Sequence, residues 1–378
     1  MTGFSLRYRD DLHLPLARTL SLVLPSTLAA GTGEASVLLT GTANFRDAPR
    51  WLAPRDAAGS LLVGLLLGER RLYGSLRRAP LDGGPRSTSE VESFVPGPLG
   101  RQALRCAELA LRGRLLPQRL AESLGSSDED LGSILRAGLE RYKTSRDWRD
   151  VAAPGSDASG ALRSIGLGVL LGGDRATLTV EALASAFLTH RDVRALAGAA
   201  TLSWAARMSL DRASIPSVSP GDALTSLASY CRSVERVLVR RRGEILAHGS
   251  VGCAHDLSDL LFEVAHWMDL PLEESLPRID EAARRVAIRS DPTPFPEQVT
   301  RVLPLGLCIS FTRTLTGGSY PFPKFGNDIP DALGALVGAL QAPNMGKELP
   351  GREALRSNTQ LERAFTLGCA LAGDPRAL

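Results

Sequence analysis

Lysine is almost missing from this chain. Lys143, Lys324 and Lys347 are the only three in 378 residues, so arginine supplies 41 of the 44 basic side chains. Set against 41 acidic residues, these leave a formal charge of only +3. That is far from the dense positive field needed to neutralise a phosphate backbone, and it argues against a nucleic-acid partner. Aromatic residues make up 5% of the chain while hydrophobic residues reach 44%, so the core must be built from alanine and leucine. Such a composition excludes a mainly disordered chain.

Cysteine is scarce as well. Cys106, Cys231, Cys253, Cys308 and Cys369 are odd in number and form no CxxC pair, which points to reduced, buried thiols rather than a disulfide framework or a zinc knuckle. No run of eighteen apolar residues is present, so no membrane span is expected. The stretch Thr19 to Ala30 is mildly signal-like, but Asp10 and Asp11 spoil its positive flank and Pro25 interrupts it. A cytoplasmic protein is the expectation.

Common catalytic signatures are also absent. There is no GxSxG elbow, and Gly346-Lys347 is followed by Glu348, where a phosphate loop needs Ser or Thr. Gly166 to Gly172 reads GxGxxxG, one residue too long for a dinucleotide turn, and close helix packing is the better reading. His255 and His266 could share one helix face, but no carboxylate set accompanies them at metal spacing, so they read as partly buried structural histidines.

What is present is helical. From Asp56 onward, Ala/Leu/Arg runs carry helical spacing, and helices are expected over Gln102 to Arg112, Asp130 to Tyr142, Val180 to Leu188, Asp192 to Met208, Asp222 to Arg240 and Asp256 to Met268. The first fifty residues differ. Ser36 to Phe45 is β-branched and turn-rich, so short strands are expected there. Two regions follow: residues 1–50 as an N-terminal extension and residues 51–378 as an all-α domain.

Four segments in order carry a resemblance. Ser60 to Glu69 (SLLVGLLLGE) has glycine every fourth residue and ends in Gly-Glu. Ala161 to Gly168 reads ALRSIGLG. Ala182 to His190 ends in Thr189-His190. Phe325 to Asp331 (FGNDIPD) follows a helix-like Thr300 to Leu315 and precedes Ala332 to Leu340, another Gly-x-x-x-Gly run. This set resembles the ADP-ribosylglycohydrolase (DraG-like) family over about residues 56–345. The resemblance implies an orthogonal all-α bundle with a cleft. In active members the cleft holds two magnesium ions and an ADP-ribosyl group, and the enzyme hydrolyses a glycosidic bond.

Carried over residue by residue, the resemblance makes Asp328 and Glu69 the catalytic candidates. Asn327, Arg163, Thr189 and His190 become ligand-binding candidates, and Asp328 with Asp331 the magnesium candidates. Bland readings stand beside these: Asp328 as a helix cap, Asp331 serving a helix dipole, Glu69 as a solvated helix end, His190 as a surface or boundary histidine, and Arg163 as a buried ionic anchor.

Departures from the family pattern matter as much. Where the family carries T-D-D-T this chain has Gly97-Pro98-Leu99-Gly100. Pro330 replaces the second carboxylate of G-G-D-T-D-T, and Asp331 falls one residue late, a turn of roughly 100° on a helix. Asp157-Ala158-Ser159 replaces the G-N-G loop. Three functions follow: a divergent glycosidic hydrolase of an ADP-ribosyl or related ribosyl substrate, a pseudoenzyme that binds a nucleotide-like ligand or a protein partner, or an unrelated helical interaction protein.

Overall fold

The computed structural model describes residues 54–70, 93–113, 115–127, 129–147, 151–152, 155, 157–170, 175–212, 219–240, 255–290, 298–313, 331–345 and 355–373. The strands expected in residues 1–50 lie outside this set, as do Asn327, Asp328 and Cys253. Among the described residues the regular elements are all α-helices, fourteen in number. One isolated antiparallel bridge joins Asp157 to Gln298.

Helix α1 (Pro54–Glu69) is apolar all round, the pattern of a helix enclosed on every side. Leu61, Leu62, Leu65, Leu66 and Leu67 are all fully buried. It lies against α13 (Asp331–Met345) and α14 (Thr359–Leu371). The crossing with α13 is a backbone contact. A Cβ on Gly68 would collide with the carbonyl of Gly334, and a Cβ on Gly334 with that of Gly68. Gly68 and Gly334 thus serve packing, and they bring the first turn of α13 beside the last turn of α1.

A second centre forms around α8 (Val193–Arg212), which packs on α5 (Ser159–Ser164), α7 (Arg175–Phe187) and α9 (Pro220–Arg240). Ser203 ties α8 to α5 by donating to the Ser164 carbonyl at 2.7 Å. Between α5 and α7 lies the short α6 (Leu167–Leu170). Its Gly168 presses against the α8 backbone at Ser203 and Gly166 packs against Leu62 and Ala107, so these two glycines serve close packing, while Gly172 lies outside the described residues.

Beyond α9 the chain forms α10 (Asp256–Ala265), α11 (Leu272–Ser290) and α12 (Val299–Arg313). Helix α10 lies on α9, and α12 bridges α11 to α13. His255 and His266 stand at opposite ends of α10; His255 is partly buried, as expected, but His266 is exposed.

Helix α2 (Pro98–Leu111) packs on α5 and α14. Then α3 (Pro117–Gly125) and α4 (Ser133–Ser145) form a hairpin with its own core of Leu120, Leu124, Leu135, Leu139 and Tyr142, joined by Val151 and Leu188. Proline at the start of both α2 and α3 suits the first helical turn, where its missing N–H is not needed. The six helices expected from periodicity are all found, with ends displaced by a few residues. Cys106, Cys231, Cys308 and Cys369 are all buried. Among the described residues no helix is long and apolar enough to cross a membrane.

Candidate functional site

Glu69 ends α1, and its side chain turns inward. It is 2% exposed, which overturns the reading of a solvated helix end. One carboxylate oxygen accepts the Leu99 N–H and the other the Gly100 N–H, each at 2.9 Å. Helix α2 has no acidic residue in its own first turn and no side-chain cap at Gly97. Glu69 therefore caps α2 from another helix, satisfying two of the orphan donors that every helix start presents.

The Gly-Pro-Leu-Gly sequence gains its reason here. A Cβ on Gly97 would collide with the Glu69 carboxylate, and one on Gly100 would come within 2.9 Å of its Oε2. The segment lacks oxygen-bearing side chains, and a carboxylate from α1 occupies the space instead. Burial pushes the Glu69 carboxyl above its ordinary value. The Gly100 and Leu99 N–H groups and Arg70 oppose that shift, and Asp331 adds to it. Asp331 opens α13 and is exposed. The glycine crossing of α1 and α13 thus makes Glu69 and Asp331 electrostatic neighbours. Only Glu69 is buried.

The ligand-binding candidates form a second constellation. Arg163 on α5 is 1% exposed. Its guanidinium donates to Gln102 Oε1 at 2.9 Å, to Ser185 Oγ at 3.2 Å, to the Ser185 carbonyl at 2.8 Å and to Thr189 Oγ1 at 2.6 Å. Gln102 passes the link on, its amide reaching the Leu131 carbonyl at 2.7 Å. Burial lowers the Arg163 pKa from its ordinary value, and Cys106 and Asp157 resist that shift. Arg163 is a buried anchor, but these four acceptors are uncharged, so the hydrogen bonds are not the ionic pairing the sequence suggested.

Thr189 Oγ1 lies 2.8 Å from His190 Nδ1, and His190 Nε2 lies 2.9 Å from Asp157 Oδ2. A carboxylate only accepts, so His190 Nε2 carries the proton in that bond. His190 stands between the end of α7 and the start of α8, a helix boundary, but at 1% exposed it is interior and not a surface residue. Burial alone would raise the Asp157 pKa, but the charge and hydrogen bond of His190, with Ser159, hold it well below the usual carboxylate range. The arrangement Thr–His–Asp has the connectivity of a nucleophilic triad. Its hydroxyl, however, already accepts from Arg163 and is 3% exposed, so no substrate reaches it in this state.

Of the sequence candidates, then, Arg163, Thr189 and His190 are brought together, Glu69 and Asp331 form a separate pair, and Asn327 and Asp328 lie outside the described residues. Among the described residues no three of His, Cys, Asp and Glu are placed to hold a metal ion. Of the two magnesium candidates, Asp331 is described and exposed, and Asp328 lies outside the described residues. Both Glu69 oxygens face backbone N–H groups at a helix start, whose partial positive charge opposes a cation.

Sequence reasoning missed Asp157, Gln102 and Ser185 as partners of the candidates. It also missed Asp192, which caps α8 through the Arg194 N–H at 2.8 Å and pairs with the Arg194 guanidinium at 2.6 Å, both side chains 1% exposed. Glu235, fully buried on α9, was missed too. One signal was available for it: with Cys231 and Leu238 it lies on the apolar stripe of its helix.

No protein-family model and no curated protein matches the chain. Among solved structures it is similar to a chain of an ADP-ribosylglycohydrolase-related protein complex, with 21% identity, a TM-score of 0.49, and coverage of 84% of this chain and 98% of that one. The likeness is one of fold, and neither a reaction nor a ligand follows from it.

Proposed function

We propose that this chain is a pseudoenzyme: a helical bundle resembling the ADP-ribosylglycohydrolases that binds a nucleotide-like ligand or a protein partner without cleaving a glycosidic bond. One observation carries the reading. The carboxylate that the resemblance assigns to catalysis is 2% exposed and holds the start of α2 through both oxygens. A general acid or nucleophile must reach the bond it cleaves, and Glu69 faces the protein's own backbone. The nucleotide-like character of the ligand rests on the sequence resemblance alone.

The second reading, a divergent hydrolase of a ribosyl substrate, draws on a different observation. A carboxyl raised by burial beside a second carboxyl is the electrostatic pattern of a glycosidase pair. It requires Glu69 to leave its cap when substrate binds. Calorimetry with ADP-ribose, with and without magnesium, and a turnover assay on an ADP-ribosylated peptide separate the two. Binding without magnesium dependence and without turnover is the expected result. Turnover abolished by Glu69→Gln or Asp328→Ala would overturn the pseudoenzyme reading.

A further inference from the structure

The core of the α3–α4 hairpin is separate from that of the main bundle. Seven of its nine buried residues lie on α3, on α4 or in the turn between them, and the other two are Val151 and Leu188. Val151 goes with the hairpin: its carbonyl accepts from Arg141 of α4 at 3.1 Å and lies where a Cβ on Gly138 would collide. Leu188, just after α7, is the side chain by which the bundle enters this core, with Leu109 of α2 packed at its edge.

Polar contacts with the bundle gather on the turn. Three consecutive residues there, Glu129, Asp130 and Leu131, each meet a side chain of α2. Arg105 Nε lies 3.7 Å from Glu129 Oε2, Arg101 donates to the Asp130 carbonyl at 3.1 Å, and Gln102 donates to the Leu131 carbonyl at 2.7 Å. Water reaches the two arginine contacts, and the glutamine bond is buried. The chain is fixed to the bundle on either side. Leu115 belongs to the main core, and its N–H donates to Glu181 Oε2 of α7 at 2.8 Å. Asp157 is bridged to Gln298. We propose that the α3–α4 hairpin is a flap, which comes away from the bundle as one cooperative unit between Leu115 and Asp157 while the other helices stay folded.

The costs of two openings set the order. Releasing the flap gives up the packing of Leu188, the edge contact of Leu109 and the row of α2 contacts, and an exposed ion pair such as Arg105–Glu129 contributes little. Opening α8 exposes the main core, which draws on most helices of the molecule. The flap therefore opens at equilibrium far more often than the bundle does. Once released, helices of nine and thirteen residues are too short to persist in water. Release of the flap and exchange of its backbone amides are thus one event.

The test is native-state hydrogen exchange of the full chain in rising, sub-denaturing urea, read by mass spectrometry on peptides from α3, α4 and α8. Helices α3 and α4 are expected to share one opening constant, about 100-fold or more above that of α8. Its dependence on urea should be weaker, because less surface is exposed. Ser203→Ala removes the buried bond from α8 to the Ser164 carbonyl. It should raise the opening constant of α8 about 10-fold and leave those of α3 and α4 unchanged. A variant that shifts all three helices together overturns the proposal. So does a wild-type chain in which α3, α4 and α8 share one opening constant and one urea slope, or in which α3 and α4 open separately. Those wild-type comparisons decide even where Ser203→Ala fails to fold.

Discussion

Replacing Gly97 with alanine puts a methyl group where the Glu69 carboxylate now lies. Gly97 itself has φ −76° and ψ 179°, which alanine adopts freely, so the backbone offers no objection. The clash falls on the far end of a side chain, and such an end can move away. Moving it, however, breaks the two 2.9 Å bonds to Leu99 and Gly100. The cost of Gly97→Ala is therefore capped by the worth of the α2 cap. Hydrogen bonds to a charged group contribute about 1.5–3 kcal/mol each, and the burial that raises the Glu69 carboxyl subtracts from the sum. A net loss of about 2–3 kcal/mol is expected for Gly97→Ala, and slightly more for Glu69→Ala, which also leaves the Gly100 N–H buried without a partner. Once Glu69→Ala has emptied the space, Gly97→Ala should be neutral, or stabilising by about 0.5 kcal/mol through the stiffer unfolded chain. The double-mutant cycle then gives a coupling of about 2 kcal/mol, read from urea unfolding followed by far-ultraviolet circular dichroism at neutral pH. Additive effects, with coupling under about 0.5 kcal/mol, would refute the account of Gly-Pro-Leu-Gly as a cradle for a carboxylate.

Further outcomes follow from the other contacts. Arg163→Lys should cost about 3 kcal/mol or more in the same unfolding assay, because one ammonium cannot serve Gln102, Ser185 and Thr189 with the planar fork of a guanidinium. Asp157 has a depressed carboxyl pKa, so its contribution is present above about 3.8 and lost as pH falls below that. Asp157→Asn should cost about 2 kcal/mol at neutral pH and narrow its deficit in acid, which thermal midpoints at about pH 3 and pH 7 will show. Glu69 has a raised carboxyl, and its sign is opposite: its contribution weakens as pH rises through the folded pKa. Gly334→Ala sets a methyl against the backbone of Gly68, which cannot swing aside. It should cost about 3 kcal/mol or more, and a thermal midpoint equal to that of the wild type would contradict the crossing described.

The sequence shows the helices because periodicity is a local property. Residues 222–240 repeat their apolar positions closely enough to bound α9 within two residues. Close helix contact was legible too, since glycine at Gly68 and Gly334 admits a neighbouring backbone. Cross-chain partnership was not. Nothing local to Gly97-Pro98-Leu99-Gly100 says that a carboxylate about thirty residues earlier will fill the gap left by its missing side chains. Taken alone, the segment shows a loss; folded, it is the complement of Glu69. Likewise Asp157 looked only like a departure from a glycine-asparagine loop. Its pairing with His190 depends on how α5 meets the end of α7, and spacing along the chain does not encode that.

Three interiors meet where α7 ends. Within four consecutive residues, Phe187 packs into the main core, Leu188 into the separate core of the α3–α4 hairpin, and Thr189 and His190 into the polar network. Gln102 adds a stitch from the other side, holding Arg163 with one end of its amide and the hairpin's Leu131 carbonyl with the other. The buried arginine therefore lies along a seam between two bodies that each pack their own interior. If the hairpin lifts as a unit, Leu188 loses its neighbours and Gln102 loses its acceptor, and the hydroxyl–imidazole–carboxylate row is the first interior chemistry that water meets. Some of the least accessible polar groups in the molecule thus lie one cooperative opening from the surface.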